Sequence, residues 1–187
     1  GRVLAAAVDV GLYAECAPNW EKKIRIRSEG FPDIEVGLYN LDVHPEDFGS
    51  SRALVRGVAA AFYDLCVDIG GFDAQITGTL KSGSGLSSSA AFTVMVGKVL
   101  NQYYNGGRLE PIVIARAAQA AENLHFGKPC GLMDQLTCAL GGCVYTDFYT
   151  SEIQPVKADF DATGLTLCLT DTGGSHAGLD TSYARIP

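Results

Sequence analysis

Thr79-Leu-Lys-Ser-Gly-Ser-Gly-Leu-Ser-Ser-Ser-Ala-Ala91 separates two segments of opposite periodicity. Before it, Phe72, Ala74, Ile76, Gly78 and Leu80 alternate with Asp73, Gln75, Thr77 and Thr79. A period of two predicts a strand with one buried face. After it, Ala91, Val94, Met95, Val99 and Gln102 recur at helical spacing, which predicts an amphipathic helix. Gly83 and Gly85 allow tight backbone conformations and close approach to a ligand. The first amides of a helix lack carbonyl partners, and the helix dipole adds partial positive charge there. A strand, a Gly/Ser loop and a helix start therefore predict an anion site suited to polyphosphate. The plainer alternative is a Gly/Ser linker or a serine-capped helix start. The two flanking periodicities favour phosphate binding over that alternative.

The loop is not of Walker type, which places Lys-Ser or Lys-Thr after the last glycine. Its lysine, Lys81, precedes both glycines.

Outward from the loop, Val3 to Ala17 reads as one long strand or two short ones, ended by Pro18-Asn19. Lys22–Arg27 alternates as a strand with one basic face, and Ile34–Leu38 pairs back as a hairpin. Tyr39–Gly49 reads as loop. Ser50-Ser51 caps a helix with the stripe Leu54, Val58, Phe62, Leu65 and Cys66, ended by Gly70-Gly71. Pro111 opens a further helix through Ala121 and Glu122. A short helix is expected at Met133–Leu140, and strands at Val144–Phe148 and Leu165–Thr170. Strands first, then helices and strands mixed, favour α+β over a doubly wound parallel sheet.

The 187 residues suffice for one domain with a core, and 47% hydrophobic with 19% charged residues is a globular composition. A net charge of −7 disfavours nucleic acid or anionic membrane as the main partner. No apolar run approaches the roughly 20 residues of a bilayer span. The six cysteines form no Cys-x-x-Cys pair, which disfavours a zinc site and suits a reduced, cytoplasmic setting. Gly1 falls directly in a strand-like run and Pro187 where a helix begins, so truncation at both ends is expected.

Several segments together resemble one superfamily. Ser82-Gly-Ser-Gly-Leu-Ser-Ser-Ser-Ala-Ala91 resembles the second motif of the GHMP small-molecule kinases. Ala121-Glu-Asn-Leu-His125, Pro129-Cys-Gly-Leu-Met-Asp-Gln135 and Thr170-Asp-Thr-Gly-Gly-Ser-His176 are similar to the galactokinase branch, as is Gly1-Arg-Val-Leu-Ala-Ala-Ala7. The resemblance implies an α+β GHMP-kinase N-terminal domain over residues 1–187, of ribosomal-protein-like fold, with a mixed sheet and helices packed on one side. It implies ATP and Mg²⁺ as cofactors and galactose or a related sugar as acceptor, with no nucleic-acid or membrane partner and a monomer or weak dimer. Gly83, Ser84, Gly85, Leu86, Ser87, Ser88 and Ser89 would bind ATP. Ser89 and Glu122 would hold the metal. Asp134 would be the catalytic carboxylate, and Gly131, Asp134 and Tyr183 would bind the sugar.

From the residues alone, Glu122 reads as a solvated helix carboxylate and Asp134 as a helix-start acid; the resemblance reverses both. His176 is expected to be structural. Asp171 would touch sugar or cap a turn, Lys81 would face phosphate or solvent, and Trp20 or Tyr39 would wall the adenine. The chain departs from the family pattern in three ways. The signature Gly-Glu-His-Thr-Asp-Tyr-Asn expected just before Gly1 is missing, Lys81 stands where a proline is usual, and the third, C-terminal glycine motif is absent. An ATP-dependent galactokinase is the leading expectation, with another sugar kinase or a non-catalytic galactose/ATP sensor as the alternatives.

Overall fold

A computed structural model of the chain describes residues 1–78 and 85–157, together with positions 162, 164, 166, 168 and 170. Thr79 to Ser84, and with them Lys81, Gly83 and Ser84, lie outside the described residues, as do Asp171, His176 and Tyr183. Positions 165, 167 and 169 of the strand expected at 165–170 lie outside them as well.

Two sheets form. The larger contains β2 (Leu12–Asn19), β3 (Lys23–Ser28), β4 (Ile34–Gly37) and β5 (Gly71–Gly78), in the order β2-β5-β3-β4. Strand β5 runs antiparallel to β2, with Leu12 opposite Gly78 and Asn19 opposite Gly71, and parallel to β3, with Ile24 opposite Phe72. This sheet is therefore mixed. Parallel neighbours need a long crossover, and the segment between β3 and β5 supplies it as β4 and helix α1 (Ser51–Asp64). The smaller sheet is antiparallel, β1 (Arg2–Ala6), β6 (Cys143–Asp147) and β7 (Glu152–Val156), in the order β1-β6-β7. The apolar run at the N-terminus is thus two strands, and they belong to different sheets. Strand β7, which contains Pro155, is the one the sequence reading misses.

The alternation in β5 holds in three dimensions: Phe72, Ala74 and Ile76 are buried, while Asp73 and Gln75 face solvent. Ile24, Ile26 and Val36 join them under the helices. Above this layer lie α1, α2 (Ser88–Tyr104), α3 (Pro111–Ala120) and α4 (Met133–Leu140). Val55, Val58, Phe62, Val96, Leu100, Ala115 and Ala118 complete the core between helices and sheet.

Two expectations need correction. Helix α1 stops at Asp64, so Leu65 and Cys66 lie beyond it and are exposed, and Gly71 opens β5 instead of ending the helix. Of the predicted stripe Ala91, Val94, Met95, Val99 and Gln102, only Val94 is buried in the core. The core takes Ala90, Thr93, Val94, Val96, Gly97 and Leu100, and the predicted stripe faces a cleft. Helix α2 has apolar residues on both faces, and spacing alone cannot rank them.

Helix α3 does not end at Ala120 but widens into a π turn, Ala121–Phe126, closed by Gly127 in the left-handed region. The π turn lies against α1 at Gly57. A β-carbon built on Gly57 would fall 2.7 Å from the Ala121 Cα and 2.8 Å from its Cβ. Only glycine permits this approach. Among the described residues no helix is long and apolar enough to cross a membrane.

Candidate active site

The N-terminus of α2, the π turn and the first turn of α4 converge. Gly85 has φ +78°, and Ser87, the residue before α2, is itself left-handed at φ 55° and ψ 44°. A serine in that position usually caps the helix by accepting from an amide inside it. Ser87 makes no such bond. Its hydroxyl instead donates to Asp134 Oδ2 at 2.7 Å. The first amides of α2 therefore receive no side-chain cap from Ser87 and remain suited to an anion.

Two residues on, the Ser89 hydroxyl donates to Glu122 Oε2 at 3.1 Å. Glu122 sits at the second position of the π turn and is only 2% exposed. Single π turns inside α-helices are frequent at functional sites, because the added residue re-aims the side chains around it. Burial raises the Glu122 pKa above the usual carboxylate range, and the hydrogen bonds from Gln135 and Ser89 partly offset the rise. Gln135 Nε2 donates to Glu122 Oε1 at 2.9 Å.

Asp134 and Gln135 are consecutive at the start of α4, so one helix end reaches both serines: Asp134 directly, and Gln135 through Glu122. The loop ahead of α4 is tied to the end of α3 and to the π turn. Cys130 N donates to Asn123 Oδ1 at 2.7 Å, and Gln119 Nε2 donates to Cys130 O at 3.1 Å. Burial pushes the Cys130 thiol up to about 11, so it stays protonated at neutral pH. Gly131 in this loop is exposed, with open space where a β-carbon would be.

Replacing Gln135 with Leu is expected to leave the buried Glu122 one donor short, at a cost of about 2 kcal/mol. A urea midpoint measures this loss, and a variant as stable as the parent would mean that Glu122 does not depend on Gln135.

Ser89 and Glu122 offer two hard oxygen donors, and Glu122 draws its two hydrogen bonds from neutral groups. A buried carboxylate without a charged hydrogen-bond partner gains from a cation, so the pair fits Mg²⁺. That ion takes one or two carboxylates and completes its shell with water and phosphate oxygens. Among the described residues no group of three or more His, Cys, Asp and Glu could hold a metal.

Two clefts open on either side of the serines. The larger, about 950 Å³, reaches from Asp134, Ser87 and Gly85 along Ala5–Val8 to Met95 and Val99. The smaller, about 230 Å³, adjoins Ser88 and Ser89 and carries Phe31, Pro32, Phe92 and Phe126. Trp20 and Tyr39 line neither cleft; they are 98% and 86% exposed.

Residues 50–142 match the GHMP kinases N terminal domain family. The chain belongs to the GHMP kinases. The matched span contains α1 to α4, the π turn and the serines and acids just described. Among curated GHMP relatives, the galactokinase of Levilactobacillus brevis is 34% identical over 144 residues, which are 75% of this chain and 37% of that protein. The galactokinase of Clostridium tetani is 30% identical over 141 residues, 75% of this chain and 36% of that one. The chain thus spans little more than a third of the length of these relatives. Among solved structures, the Lactococcus lactis galactokinase complexed with galactose superposes with a TM-score of 0.75 at 26% identity, covering 84% of this chain and 42% of that one.

Of the residues singled out from the sequence, this GHMP domain brings Ser87, Ser88, Ser89, Glu122 and Asp134 together, with Gly85 and Leu86 beside them in the larger cleft. Gln135 and the three phenylalanines of the smaller cleft are additions from the structure. Gln135 stood next to Asp134 in the quoted motif and was the one of these legible by position. Phe31, Phe92 and Phe126 come from three distant segments and share no local pattern.

Proposed function

We propose that this domain is the nucleotide- and sugar-binding part of an ATP-dependent sugar kinase that converts galactose to galactose 1-phosphate. The 2.7 Å bond between Ser87 and Asp134 carries the reading, because it sets an acid beside the Gly/Ser bend, where phosphoryl chemistry requires one. The acceptor galactose rests on the galactokinase relatives.

Phosphoryl transfer asks for a phosphate cradle, charge neutralisation and an oriented nucleophile. The backbone amides from Gly83 to Ser89, with the Ser88 hydroxyl, would form the cradle at the N-terminus of α2, with the purine in the smaller cleft against Phe31, Phe92 and Phe126. Mg²⁺ held by Ser89 and Glu122 would neutralise phosphate charge. Asp134 accepts the hydrogen bond of the anomeric hydroxyl, orients it, and takes up its proton as the oxygen bonds to the γ-phosphorus and ADP departs. Gly131 lets a backbone amide approach the sugar, and Tyr183 closes the sugar site.

Titration of the full-length protein with galactose and a non-hydrolysable ATP analogue, followed by a coupled ADP-release assay, tests this. Saturable galactose-dependent ADP release is expected. Binding of both ligands without ADP release would make the protein a sensor. Release with a different sugar but not with galactose would keep the chemistry and change the acceptor.

A further inference from the structure

Ser87 departs twice from what a serine before a helix does. Its backbone is in the left-handed region, which non-glycine residues occupy at a cost of roughly 1 kcal/mol. Its hydroxyl ignores the amides of α2 and spans 47 residues of sequence to Asp134. The two are linked, because the left-handed backbone carries the hydroxyl away from the capping position. Strain that persists beside a candidate reaction centre points to function.

The structure assigns Ser87 a positioning role: its hydroxyl holds Asp134 Oδ2, so that Oδ1 is presented to the acceptor hydroxyl. This rests on the kinase reading above but goes beyond it, since Ser87 then acts through Asp134 instead of as a phosphate ligand. Asp134 occupies the first turn of α4 and lines the larger cleft, half-buried, with Ser87 beside it on the same wall. A carboxylate held at one oxygen has lost the rotation about its terminal bond, and such orientation is the part of catalysis that shows in kcat. The same bond mechanically joins the phosphate bend to α4.

A double-mutant cycle in the full-length protein, read by ADP release, tests the role. Ser87→Gly removes the hydroxyl and adopts the left-handed backbone without strain, so the fold is kept. Ser87→Ala removes the hydroxyl but keeps the β-carbon. Both are expected to lower kcat about tenfold with KM for ATP and sugar within about twofold. In an Asp134→Asn background, Ser87→Gly should add less than about a twofold further loss, because the two residues act as a unit.

A rise in KM for ATP at unchanged kcat would overturn the inference, since the hydroxyl would then serve phosphate. Equal losses in both backgrounds would do the same, as would a loss confined to Ser87→Ala, which would belong to the backbone. Full activity in both Ser87 variants with a dead Asp134→Asn enzyme would overturn this role alone. Parent-like turnover of Asp134→Asn would remove Asp134 from the chemistry and the role with it, whereas absence of ADP release from the parent protein would sink the kinase reading.

Discussion

Asp134→Asn in the full-length protein is expected to lower kcat by about a thousandfold while leaving nucleotide binding intact. General-base contributions run from about 10² to 10⁴, and among the described residues Asp134 is the one carboxylate in hydrogen-bond contact with the Gly/Ser stretch that also lines the larger cleft. Asparagine keeps the shape and still accepts from Ser87, so the fold should not change. What it loses is the capacity to take a proton and the negative charge beside the attacking oxygen. Titration with an ATP analogue should give the parent's affinity, and ADP release should collapse. A variant turning over within tenfold of the parent would remove Asp134 from the chemistry. An Asp134→Glu variant, which keeps the carboxylate but moves it by one methylene, separates charge from position. Partial recovery would follow if charge alone mattered, and little would follow if position did.

Gly57→Val is expected to have the largest effect on stability. Helix α1 and the π turn meet here with almost no room, 2.7 Å from an added β-carbon to the Ala121 Cα and 3.0 Å to the His125 Cβ. The obstacle at Ala121 is backbone, which cannot rotate away. Forcing volume into such a contact costs about 3 kcal/mol or slightly more, which at about 2–4 °C per kcal/mol for a chain of this size lowers Tm by roughly 6–12 °C. Glu122 follows Ala121 directly, so separating the helices also draws its carboxylate away from Ser89. The loss of stability should therefore be accompanied by weaker Mg²⁺-nucleotide binding. Gly57→Ala should fall between parent and Gly57→Val. A melting temperature for Gly57→Val within about 2 °C of the parent would show that the helices can separate at little cost.

Gly57 also illustrates what a linear reading misses. In sequence it is one glycine inside a helical stripe, where the only local expectation is a modest loss of helix propensity. Its importance comes from Ala121, far along the chain. The π turn is similar. The spacing of Ile112, Ala115, Ala118 and Ala121 predicts an ordinary helix through Glu122 and places that carboxylate in solvent. The widened turn, packed under α1, instead buries it at 2% exposure against Ser89 and Gln135. Nor did composition suggest the aromatic cleft, since Phe31, Phe92 and Phe126 come from a hairpin turn, α2 and the end of the π turn.

Other parts were legible because their causes are local. Alternation at β5 reports a pleated strand with one face on the core, and Met133–Leu140 is a helix with the bounds its spacing predicts. The strand before the Gly/Ser stretch and the helix after it were readable for the same reason, since a period of two or of 3.6 is a property of adjacent residues. The sequence by itself therefore determined most of the element types and, through its motifs, the kinase superfamily. Only the tertiary structure decided which face of α2 meets the core, that Glu122 is buried, and that Ser87 pairs with Asp134 while Ser89 pairs with Glu122. Those pairings join residues 47 and 33 positions apart, and their partners are chosen by how the helices pack, which no local pattern contains.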